Sequence, residues 1–252
     1  MKRRFLTLLA APSLLALLCM PASAAEVRLM AVNAAKEPLV ELAAAFERAS
    51  GHKVTLAWGG TEAITKRVTD GEAADVVIIA APNIERLIAQ GKLAAGSRLD
   101  FARTGVGVAV RAGMPRPDVS TGQALKKAVL DAKSVAYSTG PSGFYLVELF
   151  RKMGIADQIK DKVKQPSSGT QIAEMLARGD ADLGFQQVSE LAHAKGIDYL
   201  GPLPAEVQNV TIYAAALHSA GAAPDAARAL VAFLTAPAAE PVLKKAALDP
   251  PR

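Results

Sequence analysis

Hydrophobic positions along the chain alternate between two periods. Short apolar runs such as residues 76–80, which contain two valines and two isoleucines, predict buried strands. Between these runs lie amphipathic stretches, and the one after Pro38 places Leu42 and Phe46 on a single helical face. In the first third of the chain the pattern predicts strands at 27–32, 53–58 and 76–80, and helices at 38–49, 62–70 and 82–89.

The same alternation continues through the rest of the chain. Strands that alternate with helices are typical of an α/β fold, so we predict that class here. The turns of such a sheet lie beyond the carboxyl ends of its strands, where ligands bind. Strands are predicted at 105–111, 134–137, 182–185 and 207–217, and helices at 121–130, 143–153, 171–177, 225–234 and from 238 onward.

The N-terminus has the three parts of a secretory signal peptide. Residues 2–4 are basic, residues 5–20 are almost entirely apolar, and small residues precede Ala24. We expect a signal peptide over residues 1–24, cleaved near Ala24, and export to the periplasm. The alternative is a retained anchor, although the apolar stretch is shorter than the roughly 20 residues of a transmembrane helix. Cys19, the single cysteine, lies in this leader, so we expect no disulfide or thiolate metal site.

The net charge of the chain bears on its possible partners, and its length bears on the number of lobes. The 252 residues include 29 basic and 24 acidic side chains, a net charge of +5. Removing the three basic residues of the leader leaves 26 basic and 24 acidic residues, a net charge of +2. No basic run remains, so we expect no nucleic-acid partner. The remaining length suits a monomer with two lobes of about 100 residues each.

The sequence contains no recognised catalytic constellation. His52, His193 and His218 lack both a nucleophile-elbow serine nearby and the spacing of a metal site. We therefore expect a binding protein without enzymatic activity, cofactor or metal. A sensory receptor and a periplasmic enzyme are the alternatives.

The stronger signal is a set of four turns that place small or hydroxyl residues before predicted helices. Helix N-termini present unpaired N–H groups and a partial positive charge, which together bind anions. Each turn alone is explained by ordinary helix capping. All four together, two in each half, predict an anion site in a cleft between two lobes. The turns are Asn33-Ala34-Ala35, Gly59-Gly60-Thr61, Pro141-Ser142-Gly143 and Ser167-Ser168-Gly169-Thr170.

Several motifs, taken in order, carry a resemblance to a known family. They are the LMAVNAA strand and turn at 29–35, FER at 46–48, WGGT at 58–61, GEAADV at 71–76, PSG at 141–143 and DLGF at 182–185. Across about 200 residues they resemble the periplasmic molybdate-binding proteins, which are type II periplasmic solute-binding proteins of ABC importers.

The resemblance implies a fold and a partner. The fold is α/β, with two doubly wound lobes joined by crossover strands, and the lobes close around a ligand. Lobe 1 is expected to comprise residues 25–107 plus 209–252, and lobe 2 residues 108–208. The implied partners are a small anionic ligand and an ABC transporter permease.

The predicted site departs from the molybdate pattern. Family members usually place a serine in each of the first two turns, where this chain has Asn33-Ala34 and Gly60-Thr61, and a tyrosine where it has Gln186-Gln187. Amides donate and accept hydrogen bonds, whereas a tetrahedral oxyanion only accepts them. A small organic carboxylate therefore competes with a molybdate-type oxyanion as the ligand. Lys36, Lys66 and Arg67 lie close enough in sequence to pair with such a carboxylate.

The predicted ligand-binding residues come from all four turns and from the end of the late strand. They are Asn33, Ala34, Gly60, Thr61, Ser142, Gly143, Ser168, Gly169, Thr170 and Gln187.

Overall fold

The computed structural model describes residues 24–251. The predicted signal peptide therefore lies outside the described residues, apart from Ala24. Within them, the buried apolar runs form strands as the pattern predicts. The strands are β1 (Glu26–Val32), β2 (Lys53–Gly59), β3 (Val76–Ala80), β4 (Leu99–Arg111), β5 (Val135–Tyr137), β6 (Val163–Lys164), β7 (Leu183–Gln187), β8 (Ile197–Pro202) and β9 (Val210–Leu217).

Helices connect the strands, and those of seven or more residues begin within two residues of their predicted starts. The pattern does not predict β6, β8 or the two four-residue helices, because such short or half-exposed segments show no clear period. Asn33–Ala35 forms a 3₁₀ turn. The helices are α1 (Lys36–Ser50), α2 (Thr61–Thr69), α3 (Ala81–Ala89), α4 (Gly122–Asp131), α5 (Pro141–Lys152), α6 (Ala156–Ile159), α7 (Ile172–Arg178), α8 (Val188–Leu191), α9 (Pro224–Leu234) and α10 (Glu240–Lys245).

The long strand β4 passes from one half of the sheet to the other. The strand order is β2-β1-β3-β9-β4-β7-β5-β6, and β8 also pairs with β4. From Leu99 to Gly105, β4 runs antiparallel to β9. From Val106 onward it pairs instead with β7 and β8. The protein therefore consists of two α/β lobes joined by crossover strands.

Each lobe has its own apolar core. In the first lobe, β1, β3 and β9 are buried together with inward faces of α1, α3 and α9. In the second lobe, alternate residues of β4 enter cores on opposite faces of the sheet: Val108 and Val110 lie on one face and Ala109 on the other. This alternation is expected for a strand covered by helices on both sides.

The described helices show no simple membrane span. Within residues 24–251, no single helix is long and apolar enough to cross a membrane. The segments Pro224–Leu234 and Pro237–Lys245 meet the length and composition only as a pair, with a bend of 60° between them.

A buried carboxylate links three parts of the first lobe. Asp75, which precedes β3, is 1% exposed. It accepts hydrogen bonds from the backbone N–H groups of Arg28 at 2.8 Å and Ala222 at 2.6 Å, and from Nε of Arg28 at 3.1 Å. Burial favours a higher pKa for Asp75, but the hydrogen bonds from Arg28 and Ala222 hold the pKa below its usual value. The ionised carboxylate thus joins β1 and β3 to the loop before α9.

We expect Asp75→Asn to lower the free energy of unfolding by about 2–3 kcal/mol, because each hydrogen bond to a charged group contributes roughly 1.5–3 kcal/mol. Urea denaturation at neutral pH measures this change. Since the pKa of Asp75 is lowered in the folded state, the difference should shrink as the pH falls below about 4. Asp225→Asn, at a carboxyl that is 95% exposed, should cost less than about 0.5 kcal/mol. Equal losses in the two variants would contradict the linking role of Asp75.

Candidate ligand-binding site

The four predicted turns converge on one small cavity between the lobes. Its volume is about 40 Å³, enough for roughly three water molecules. Nine of the ten predicted residues line it: Asn33, Ala34, Gly60, Thr61, Ser142, Ser168, Gly169, Thr170 and Gln187. The lining also includes Val32, Gly59, Ser138, Gly140, Pro141, Gln186, Glu190 and Tyr213, none of which the sequence singles out as binding residues.

Two helices direct their N-termini at this cavity. Gly60 and Gly140 precede α2 and α5, and neither helix receives a side-chain cap. The first-turn N–H groups are therefore left for other acceptors. Thr61 and Ser142 are 3% and 1% exposed, and they place hydroxyl groups beside those N–H groups. The arrangement offers hydrogen-bond donors and partial positive charge to an anion, and no lysine or arginine is among the described residues that line the cavity.

Gly143 is the predicted residue that does not line the cavity. A Cβ atom at this position would lie 1.6 Å from the carbonyl oxygen of Ser138. The glycine therefore permits the first turn of α5 to pack directly on the preceding loop. This close approach explains why a glycine ends the Pro-Ser-Gly turn. The neighbouring Ser142 lines the cavity instead.

The two lobes contact each other across the cavity. Nδ2 of Asn33 donates to the carbonyl oxygen of Gly169 at 2.9 Å. A Cβ atom at Gly60 would lie 2.5 Å from Oγ of Ser168 and 2.8 Å from the backbone nitrogen of Gly169. Asn33, predicted to donate to the ligand, thus donates to the opposite lobe in this arrangement.

Glu190 is held in the cavity wall by two amides. Nε2 of Gln186 donates to Oε1 of Glu190 at 2.8 Å, and Nε2 of Gln171 donates to the same atom at 3.2 Å. Oε1 of Gln186 accepts the backbone N–H of Ile172 at the start of α7, at 2.8 Å. Burial raises the pKa of Glu190 to about 7, although hydrogen bonds from Gln171 and the Gln187 backbone oppose the rise. The carboxyl group of Glu190 is therefore more readily protonated than that of a solvent-exposed glutamate.

The sequence pattern misses Glu190 because α8 has four residues, too few to show a helical period. No capping-box signal marks Glu190 either, because that motif has a serine or threonine at the N-cap, three residues before the glutamate. Gln187 is the N-cap of α8, and Glu190 stands three residues later.

Tyr213 contributes a phenol from the crossover strand β9. It is 2% exposed and lines the cavity. Burial raises its pKa well above the usual value, and the charge of Glu190 adds to the effect. The phenol therefore remains a neutral hydrogen-bond donor. The strand pattern predicts burial at this position but gives no reason to select it as functional.

Two buried polar atoms of the cavity lining lack partners among the described residues. They are Oγ of Ser168 and Oε1 of Gln187. Nε2 of Gln187 donates to Oγ1 of Thr211 at 3.0 Å. A hydroxyl both donates and accepts, so the two ends of the Gln187 amide can exchange places opposite Thr211. The lining thus offers a ligand the unpartnered hydroxyl of Ser168 and the amide of Gln187, which can either donate or accept.

A larger groove adjoins the cavity. Its volume is about 610 Å³, and Asn33, Ala34 and Glu190 line both spaces. Lys36 and His193 line the groove from opposite lobes. Glu190 therefore lies at the boundary between a narrow enclosed space and an open one.

Of the three basic residues considered for a carboxylate, Lys36 alone lies beside this site. Its Nζ atom is 5.9 Å from the ring centroid of Trp58, a cation–π distance. Lys66 pairs with Asp70 at 2.6 Å, and Arg67 pairs with Glu72 at 2.5 Å. Neither Lys66 nor Arg67 lines the cavity or the groove.

Two α/β lobes on crossover strands, with a polar cavity between them, define the class of type II periplasmic binding proteins. The model of the family described as bacterial extracellular solute-binding protein matches residues 27–247. The chain belongs to this family. The fold predicted from the sequence and the resemblance to periplasmic molybdate-binding proteins are both confirmed.

Named relatives fall into two groups. Aconitate isomerase of a Pseudomonas species is 38% identical over 216 residues, covering 83% of this chain and 82% of the relative. The molybdate-binding protein ModA of Azotobacter vinelandii is 30% identical over 237 residues, covering 90% and 91%. A solved structure of the periplasmic molybdate-binding protein of Azotobacter vinelandii superimposes with a TM-score of 0.76 at 22% identity, covering 90% of this chain and all of that one.

Gly60→Ala should hold the lobes apart. The backbone at Gly60, with φ −78° and ψ 160°, accepts alanine, so the first lobe itself should fold normally. The new methyl group would meet Ser168 and Gly169, and overpacking costs about 1–3 kcal/mol. We expect the ratio of closed to open molecules to fall about fivefold to a hundredfold, with a larger radius of gyration in small-angle X-ray scattering.

Gly140→Ala is the matched control, because the nearest atom to its Cβ lies at 3.7 Å. It should leave the radius of gyration unchanged. A Gly60→Ala protein as compact as the wild type would contradict the importance of this contact.

Proposed function

We propose that the protein captures a small organic acid in the interlobe cavity and delivers it to an ABC importer. The proposal depends chiefly on one observation, that donors from both lobes surround a cavity whose wall also contains Glu190. The N-termini of α2 and α5, with Thr61 and Ser142, suit one carboxylate group of the ligand.

Glu190 favours an organic acid over a molybdate-type oxyanion. A doubly charged, acceptor-only oxyanion is repelled by the ionised form of Glu190 and has no proton to donate to this carboxylate. An organic acid with a hydroxyl or protonated group supplies such a donor. The adjoining groove has space for the part of the ligand that exceeds the small cavity. The relative that is 38% identical is also named for an organic acid.

Delivery follows from membership of the solute-binding family, and it requires that the lobes respond to the ligand. A ligand that contacts both lobes binds the closed form more tightly and shifts the population toward it. In this proposal, the surfaces that meet on closure are those where Asn33 and Gly60 contact Gly169. In this proposal a monomer works in the periplasm after cleavage near Ala24, with a permease rather than nucleic acid as its macromolecular partner.

The proposed lobe boundaries are residues 25–107 plus 209–252 for lobe 1 and 108–208 for lobe 2. The change of pairing partner within β4, between Gly105 and Val106, supports the first boundary. The start of β9 at Val210 supports the second.

A second candidate function is an isomerase that acts on an unsaturated organic acid. The specific observation in its favour is a carboxyl group in the cavity wall, Glu190, whose pKa of about 7 suits proton transfer at neutral pH. The 38% identity to an aconitate isomerase supports the same candidate. It departs from the expectation, drawn from the sequence, that the protein is not an enzyme.

A ligand screen tests the class of ligand. Di- and tricarboxylic acids are compared with molybdate, tungstate and sulfate by chemical unfolding at a fixed temperature. An acid present at 100 times its dissociation constant should raise the free energy of unfolding by about 2.7 kcal/mol. Stabilisation by molybdate and tungstate alone would contradict the organic-acid proposal and favour an oxyanion receptor. Stabilisation by none of these anions would contradict an anion site altogether.

Thr61→Ala tests where the acid binds. Loss of the hydroxyl should raise the dissociation constant about tenfold in calorimetry, since a hydrogen bond to a charged group contributes about 1.5 kcal/mol or more. Thr61→Ser retains the hydroxyl and should bind within about threefold of the wild type. Equal affinities of the alanine and serine variants would place the acid elsewhere.

A further inference from the structure

Glu190 occupies the position where a ligand would pass from the enclosed cavity into the groove. Among the described residues that line the cavity, it is the single carboxylic acid. Gln186 and Gln171 fix its Oε1 atom from two sides. No side chain of residues 24–251 donates a hydrogen bond to Oε2. The backbone N–H of Gln187, the N-cap of α8, also donates to this carboxyl group. Donors from its own lobe therefore hold the carboxyl group at the boundary of the cavity and the groove.

The groups around Glu190 leave its charge largely uncompensated. Within the described chain it forms no salt bridge, and Lys36, Glu37 and His193 share the groove with it. Lys36 lies over Trp58, and His193 lies 3.4 Å from Glu37. Tyr213 faces it from β9 as a neutral phenol, and Tyr199 on β8, which packs against α8, has a pKa raised to about 12 by burial. The carboxyl group can thus exchange a proton without an adjacent cation that would keep it ionised.

We propose that Glu190 is the catalytic residue of a 1,3-proton transfer on an unsaturated polycarboxylate bound in the cleft. This inference rests on the proposed capture of an organic acid, and it assigns a residue to the isomerase candidate. The substrate class has a carbon–carbon double bond, a neighbouring methylene group and at least two carboxylates. One carboxylate lies among the N-termini of α2 and α5, and the remainder extends past Glu190 toward the groove.

The reaction is balanced without a further reactant. The Glu190 carboxylate removes a proton from the methylene carbon, and the electron pair of that C–H bond forms a new double bond to the central carbon. The original double bond becomes an electron pair delocalised onto the far carbon and its carboxylate. Glu190, now neutral, returns the proton to that far carbon. The product is an isomer with the double bond moved by one position.

Neighbouring side chains assist this step in two ways. Gln171 and Gln186 are positioning residues, because they hold the carboxyl group and do not touch the reacting carbons. Tyr213 lines the same cavity and remains a neutral donor. Its hydroxyl is suited to stabilise the negative charge that develops on a substrate carboxylate during the transfer.

The test uses the purified mature protein with cis- and trans-aconitate in D₂O. Proton NMR follows both the interconversion of the isomers and the incorporation of deuterium, while calorimetry measures binding. We expect conversion by the wild type. Glu190→Gln should bind within about threefold of the wild type but lose about 100-fold or more of kcat, the usual range for a general acid–base residue. Glu174→Gln, at an exposed carboxyl on α7, should convert at the wild-type rate.

The pH profile separates catalysis from a structural role of Glu190. Since the ionised carboxylate removes the proton, kcat/KM should fall as the pH drops below about 7. Glu190→Asp should retain a sigmoidal profile with a shifted midpoint, and the residual activity of Glu190→Gln should lose this dependence. An unchanged profile in the glutamine variant would overturn the assignment.

Three further outcomes would overturn the catalytic role of Glu190. Binding of aconitate by the wild type without conversion or deuterium uptake would overturn the catalytic inference and leave the capture of organic acids standing. Wild-type rates in Glu190→Gln would overturn it as well. Failure of both isomers to bind would overturn it too, whereas the ligand screen decides separately whether other organic acids are captured.

Discussion

The site depends on one feature of the backbone, the change of partner within β4. Up to Gly105 this strand pairs with β9, and from Val106 it pairs with β7 and β8. The side chain of Gln208 spans this point, accepting from the N–H of Val106 at 2.8 Å and donating to its carbonyl oxygen at 3.0 Å. Because both sheets share the strand, the turns at their edges face each other, and the cavity is the space between those turns.

Much of this arrangement can be predicted from the sequence, because its signals are local. A buried run such as β3 and an apolar face such as that of α1 specify their own structure. Turns rich in glycine and hydroxyl residues likewise identify the cavity lining. Residues selected by the packing of distant segments cannot be found in this way. Asn33 meets Gly169 across 136 positions of the chain, and Tyr213 is an ordinary buried strand residue until the lobes are placed together.

The electrostatic character of the cavity follows from the groups that line it. Its positive potential comes from helix N-termini, while nearby basic side chains such as Lys66 and Arg67 are engaged by acidic neighbours. Dipoles and hydroxyls bind an anion without full charges, so the cavity can also contain Glu190. A lysine or arginine in contact with Glu190 would lower its pKa and keep it ionised. None of the described residues that line the cavity is such a cation, so the pKa of Glu190 stays raised by burial.

Ligand binding and proton transfer require the same structural properties of this fold. Closure of the lobes surrounds the ligand with fixed donors and removes water, and both effects strengthen electrostatic interactions within the cavity. A solute receptor with these properties needs one correctly held acid–base group to act on its ligand. Gln186 fixes Glu190 and also accepts the first N–H group of α7, so the orientation of the carboxyl group is tied to the folding of the second lobe. In the isomerase that we propose, the difference from a receptor on this scaffold rests on Glu190 and the amides that hold it.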